Sequence, residues 1–322
     1  MQEPLFAAIQ QAHKSLRPSV LTTPLEYSVL HSEQLGCELY FKCEHNQRTG
    51  SFKFRGASNK IRLLDDAVAR DGVITASTGN HGQGLALAGR TRQVPVTVYA
   101  PESASPAKLK KMELYGAQLE LVKGDALAAE LAAGKAARER GMAFVSPYND
   151  VDIIAGQGTV GMEIAEQLPQ ADAVFIAVGG GGLVSGTALA LAQLAPNAEI
   201  VGCWPEAAHS MHACLQAGEI IEIEEAETLS DGTAGGVEPG SITFELCQQL
   251  IKRQVLVSEA EIAVAMFSLA DKEQWMVEGA AAVALAALVR CQKDYVGKRV
   301  VVVLCGRNIA LEKYLRVLNQ VR

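Results

Sequence analysis

Two rhythms of apolar residues alternate along the chain. Short, nearly continuous apolar runs are followed by longer stretches in which apolar positions return every three or four residues. The first kind predicts strands buried on both faces, the second amphipathic helices. Residues 4–17, with apolar Leu5, Ile9 and Leu16, predict a first helix. Residues 22–25 (Thr-Thr-Pro-Leu) predict an extended turn, and 38–42 a strand. Ser51 is placed to cap a helix that runs on through Lys60, Ile61, Arg62, Leu63 and Leu64. From about residue 72 the pattern becomes a series of β-α units. Strands are predicted at 73–76, 94–100, 119–122 and 143–145. Helices are predicted at 82–92, at 105–115 with Pro106 near the start, and at 125–140. A second series begins at 150, with helices at 156–167 and 183–194 and strands at 173–178 and 199–204. Residues 217–241, rich in glycine and acids, predict a loop, and helices follow near 242–252, 259–271 and 277–293. The valine run at 299–304 is the last strand. Strands alternating with helices argue for an α/β chain with open, mostly parallel sheets flanked by helices.

Composition fits this picture. The chain has 322 residues, 49% of them hydrophobic, with 29 glycines for tight turns. A net charge of −7 gives no electrostatic basis for nucleic-acid binding. The seven cysteines are scattered, with no C-x-x-C pair. That pattern suggests neither a disulfide framework nor a zinc knuckle and places the chain in a reducing, cytoplasmic setting. No basic leader and no long uncharged apolar run are present, so no membrane span is expected.

The candidate chemistry centres on Gly50-Ser51-Phe52-Lys53-Phe54-Arg55-Gly56-Ala57. Lys53 would stand in the first turn of a helix, between two phenylalanines. The helix dipole and apolar neighbours both disfavour an ammonium there. A lysine that loses its proton easily is what Schiff-base chemistry needs. The alternative is a surface lysine whose stem covers apolar area.

Gly179, Gly180, Gly181 and Gly182 lie between a buried strand and a helix. Such a loop can bring several backbone N–H groups up to an anion, and the helix start adds its dipole. A dinucleotide fingerprint fails here, because its last glycine falls on Val184 or Ser185. A purely structural turn remains the alternative. Ser77-Thr78-Gly79-Asn80-His81 follows a strand and offers hydroxyls, N–H groups and an amide to a carboxylate, or simply caps a helix. Cys305, in Leu304-Cys305-Gly306-Arg307, ends the last strand, where ligands sit in parallel sheets. It could equally be a buried structural thiol. Glu278, before Gly279, is a further acid at a helix start.

The order of these motifs, with Lys42 to Thr49 leading into the lysine segment, resembles the threonine/serine dehydratase family. That family includes serine racemases and belongs to the fold-type II pyridoxal-phosphate (PLP) enzymes. The resemblance covers nearly the whole chain. It implies a two-domain α/β fold like that of the tryptophan synthase β chain. Residues 1–69 and 150–322 would form a large PLP-binding domain, with 70–149 inserted as a small one. Lys53 would carry the cofactor and act as catalytic base, with Thr78 as a second catalytic group. Phe52, Asn80, the four glycines, Leu183, Glu278 and Cys305 would complete the cofactor site. Ser77, Thr78, Gly79, Asn80 and His81 would hold the substrate. Cys305 would face the pyridine nitrogen as a neutral partner, weakening the cofactor as an electron sink. Arg307 stands where the family motif has a second glycine. A cation site found in several relatives aligns here with Trp204 and Ser210, neither an anionic oxygen ligand, so no metal is expected.

The activity implied is that of a serine or threonine dehydratase. It is an ammonia-lyase reaction on a small β-hydroxy amino acid, run by a homodimer. An amino-acid racemase and a non-catalytic amino-acid-binding relative are the alternatives.

Overall fold

In the computed structural model, which describes residues 2–321, the chain builds two separate sheets. The strands are β1 (Leu25–Tyr27), β2 (Glu38–Lys42), β3 (Val73–Ala76), β4 (Val96–Pro101), β5 (Gln118–Val122), β6 (Ala143–Phe144), β7 (Ala173–Ala177), β8 (Glu199–Pro205), β9 (Arg253–Val257) and β10 (Arg299–Val303). One sheet has six strands in the order β1-β2-β10-β7-β8-β9, and the other has four in the order β5-β4-β3-β6. Every pairing is parallel except β1 with β2. The residues read as continuous apolar runs form the centre: all of β7, and Val300 to Val303 of β10, are buried. Helices cover both faces of such strands, which is why their sequence does not alternate.

Helix Val151–Gln167 is the piece that joins the two halves. Asp150 caps it, accepting hydrogen bonds from the N–H groups of Asp152 and Ile153. Its glycines admit two other helices at backbone distance. A Cβ on Gly186, in helix Gly182–Leu194, would stand 2.4 Å from the carbonyl oxygen of Ile154. A Cβ on Gly156 would stand 2.6 Å from the Cα of Gly56, in helix Lys53–Leu63. The lysine helix is therefore pressed against the hub.

A buried ion network fixes it there. Arg55 holds Glu44 through Nε and Nη2, at 2.7 Å each, and Glu163 through Nη1 and Nη2 at 2.7 and 2.8 Å. Lys42 adds a 2.6 Å bond to Glu163. The two cations hold the Glu163 carboxyl below the usual carboxylate range, against the burial that would raise it.

Ser51 does not cap the lysine helix, contrary to the sequence expectation. Phe52 takes the cap position, and Ser51 instead forms an isolated antiparallel bridge with Gly306. The bridge ties the segment to the end of β10, and the Ser51 hydroxyl is buried without a partner. The packing around the four-stranded sheet also draws in Ala12, Leu16, Phe54, Ala57 and Ile61 from outside residues 70–149.

Candidate active site

Three strand ends converge between the sheets. β10 runs out into Leu304 and Cys305, β7 into Val178 and the glycines, and β3 into Ser77. A cavity of about 480 Å³, open mouth included, lies at these carboxyl ends, and Phe52, Lys53, Asn80, Gly179, Gly180, Gly181, Gly182, Leu183, Glu278 and Cys305 all line it. Ser77, Thr78, Gly79 and His81 flank it without forming its wall. Thr78 is exposed, and Ser77 turns its hydroxyl inward to accept from the N–H groups of Gly79 and Gly82. That second geometry is a local cap.

Lys53 is the first residue of its helix and reaches into the cavity. Its Nζ donates to the carbonyl oxygen of Pro147 at 2.8 Å. Burial lowers its pKa to about 8, opposed by the fields of Cys305 and Glu278. The amine is thus far easier to deprotonate than a surface lysine. The same burial, together with Lys53, lowers the pKa of His81 to about 3, so that imidazole is neutral. Its Nδ1 is buried without a partner.

Glu278 is buried. It accepts from Asn80 Nδ2 at 2.7 Å and from the Asn308 N–H at 3.1 Å. Burial first, then the charge of Asp231, raises its pKa to about 7. Asn308 also donates to Asn80 Oδ1 at 2.7 Å, so the Asn80 amide is held at both ends. Burial pushes the Cys305 thiol well above its ordinary value, and Glu278 adds to the effect, so it is a neutral group.

At the glycine loop, Gly181 is the cap of helix Gly182–Leu194, in the left-handed region at φ 88°, and no side chain bonds the first turn. Those N–H groups remain for a ligand. The loop is also tightly walled: a Cβ on Gly180 would lie 2.4 Å from the ring of Tyr148. Tyr148, Gly232 and Thr233 line the same cavity and carry no sequence motif. They come from the segment after β6 and from the long loop before helix Ile242–Leu250. The Tyr148 ring against Gly180 and the Thr233 backbone against Gly179 are contacts that appear only in three dimensions.

At the place where the metal site was expected to be missing, Trp204 is buried and the Ser210 hydroxyl donates to Glu225.

A family model described as "Pyridoxal-phosphate dependent enzyme" matches residues 16–306. The chain belongs to that family. The residues present suit the cofactor: an amine of lowered pKa, a helix start with free N–H groups and a neutral thiol share one cavity. The chain is 42% identical over 304 residues to an L-threonine ammonia-lyase of Geobacter sulfurreducens, covering 94% of this chain and 75% of the relative. It is 34% identical to an L-threo-3-hydroxyaspartate ammonia-lyase of Saccharomyces cerevisiae, covering 98% and 97%. Its structure is similar to that of the processed form of threonine deaminase isoform 2 from Solanum lycopersicum. That match has a TM-score of 0.93 and 33% identity, and covers 98% of this chain and 93% of the other.

Proposed function

We propose that this PLP-dependent enzyme removes water from a β-hydroxy amino acid by α,β-elimination, releasing a 2-oxo acid and ammonia. The observation that carries the proposal is Lys53 Nζ in one cavity with the uncapped glycine helix and a neutral Cys305. The names of the relatives support the same chemistry. When bound, PLP supplies an electron sink for the bonds at the substrate Cα.

The chain supplies everything else. Lys53 would hold the cofactor, and its amine, easily deprotonated, would take the proton from Cα. The first N–H groups of helix Gly182–Leu194 bind the phosphate, with Gly179 to Leu183 as its cradle. Phe52 lies along the lysine, its ring centroid 5.3 Å from Nζ. Asn80, held by Glu278 and Asn308, would bond the cofactor's ring oxygen. The turn Ser77–His81 receives the substrate carboxylate. Cys305, a neutral group in the same cavity, would meet the ring nitrogen without offering it a charge, which would favour prompt departure of the β-hydroxyl. Racemisation needs a second acid/base opposite Lys53. Thr78, the residue in line for it, is exposed on the turn assigned to the substrate carboxylate, and chiral analysis of the amino acid left after partial turnover separates the two reactions.

We extend the proposal to serine as well as threonine, and to a homodimer in the cytoplasm. All seven cysteines are free, as in a reducing compartment. Among the described residues no helix is long and apolar enough to cross a membrane. Exposed Tyr27, Val29 and Leu30 sit together at edge strand β1 and suit a contact between copies. The two sheets support the division into residues 1–69 with 150–322 and an inserted 70–149.

The test is release of oxo acid and ammonia from serine, threonine, 3-hydroxyaspartate and phenylserine by the PLP-loaded enzyme. No release from any of the four refutes the proposal.

A further inference from the structure

Helix Pro106–Tyr115 belongs to the four-stranded sheet, yet it lays two lysines at the mouth of the site. Lys108 lies flat on the Ser77–His81 turn: a Cβ built on Gly79 would stand 3.6 Å from both Cδ and Nζ of Lys108. Its Nζ pairs with Asp231 at 2.9 Å. Lys111, one turn further on, donates to Oδ1 of Asn308 at 3.1 Å. Asn308 is neutral, and it is the residue that holds Asn80. One ammonium therefore touches the turn directly, and a second stands one hydrogen bond behind Asn80.

The anions facing these lysines are Asp231 and Glu278. Lys108 and Asp231 both act on Glu278, with opposite sign. With a pKa near 7, Glu278 carries only part of a charge at neutral pH. Two lysine charges thus face one full carboxylate. A substrate with a single carboxylate does not account for this surplus, because the Ser77 hydroxyl takes only the Gly79 and Gly82 N–H groups at this turn, and the N–H groups of Asn80 and His81 at the start of helix Asn80–Arg92 remain for that carboxylate.

The partner of Lys108 is also easily exchanged. Asp231 sits on the long loop after helix Ser210–Ala217, and its side chain is 45% exposed against 20% for Lys108. An ion pair this open to solvent contributes little. A carboxylate held by the substrate beside Gly79 could take its place.

We infer that Lys108 is a specificity-determining residue that exchanges Asp231 for a second carboxylate on the substrate, so that the enzyme prefers β-hydroxy amino acids with an anionic side chain, 3-hydroxyaspartate being the smallest. The inference rests on the proposed elimination and names its substrate class. The product of that substrate is a dicarboxylic 2-oxo acid.

The experiment compares kcat/KM for 3-hydroxyaspartate and for serine in PLP-loaded wild-type enzyme, Lys108→Met, Lys108→Arg and Asp231→Asn. Met keeps the stem that packs on Gly79 and removes only the charge. The wild-type ratio should exceed one and fall roughly 10- to 100-fold in Lys108→Met, as expected for one charge-assisted hydrogen bond. Lys108→Arg should restore most of it. Asp231→Asn, which leaves Lys108 free, should raise the ratio, and it tests the idea even if Lys108→Met does not fold. A wild-type ratio below one overturns the inference, as does a ratio that Lys108→Met or Asp231→Asn leaves unchanged. Turnover of serine alone would sink the dicarboxylate preference and keep the elimination. Turnover of neither would sink the dicarboxylate preference, and it would sink the elimination as well if threonine and phenylserine also release no oxo acid.

Discussion

Lys53 donates to the carbonyl oxygen of Pro147 across the gap between the two sheets, at 2.8 Å. The amine is thereby aimed into the cavity with a neutral acceptor instead of a carboxylate. No carboxylate at bonding distance stabilises its charge, and burial lowers its pKa to about 8.

A pH dependence follows from this. Only the unprotonated amine attacks the cofactor aldehyde, so the rate at which apoprotein takes up PLP should rise with pH and level off above about 8. Stability should respond as well. The folded pKa lies below the ordinary 10.5, so between those values the unfolded chain binds more protons and this group makes apoprotein stability rise with pH. Urea unfolding of apoprotein at several pH values should show the rise in wild type, and Lys53→Met should lack it. An equal slope in both would mean that Lys53 titrates normally.

Glu163 is the shared anion of the buried network, bonded by both Arg55 and Lys42. Glu163→Gln would leave two buried cations with Glu44 alone. Removing one partner of such a cluster costs about 3–5 kcal/mol. The midpoint of urea unfolding should fall accordingly. PLP affinity should fall with it, because the network pins the helix that begins at Lys53. A loss under 1 kcal/mol would show that the network is not sealed from water.

Gly180 tests the wall of the cavity. Its missing Cβ would strike the Tyr148 ring at 2.4 Å, and the Tyr148 hydroxyl is anchored by the Glu238 N–H at 2.9 Å. Gly180→Ala should therefore weaken PLP binding by roughly tenfold, the scale of overpacking in a close-packed site. In a Tyr148→Ala background the same change should cost much less. Equal costs in both backgrounds would place the effect in the loop backbone instead of the ring.

The legible part of the molecule was the part written in consecutive residues. The continuous apolar runs fixed β7, β8 and β10, and the lysine segment, the glycine loop and the Asn80 turn each carry their chemistry within a few positions. Other features have no such local signal. β9 (Arg253–Val257) is an edge strand whose Arg253 and Gln254 are half-buried, so its pattern is neither continuous nor cleanly alternating. Ser51 looks like a cap from its neighbours, but the end of β10 claims its backbone. Tyr148, Thr233 and Lys108 reach the site from loops and a helix whose sequence is unremarkable. Their roles depend on the distance between two sheets, which no local pattern encodes. The C-terminal helix Leu311–Val321 is a different case, since Leu311, Tyr314, Leu315 and Leu318 hold helical spacing in plain view.

Cys305 gives the sharpest test of where the cofactor ring lies. Its thiol is buried, neutral and in the same cavity as Lys53 and Glu278. Under the proposed function it faces the ring nitrogen. Cys305→Asp would set a carboxylate there and raise the pKa of that nitrogen, because an opposite charge favours the protonated form. A protonated ring withdraws electrons more strongly, so the proton lost from Cα has longer to return before the β-hydroxyl leaves. In D2O the ratio of deuterium incorporated into recovered substrate to oxo acid released should rise above that of wild type. Cys305→Ser replaces one neutral partner with another and should stay within about threefold of wild type. Glu278 sharpens the contrast, since a second carboxylate beside it would drive its own pKa higher still and keep it protonated. The Asp variant should thus place its charge at position 305 while Glu278 gives up its own partial charge, so the negative charge of the site moves to the group that acts on the ring. If Asp and Ser give the same ratio, Cys305 does not face the ring nitrogen.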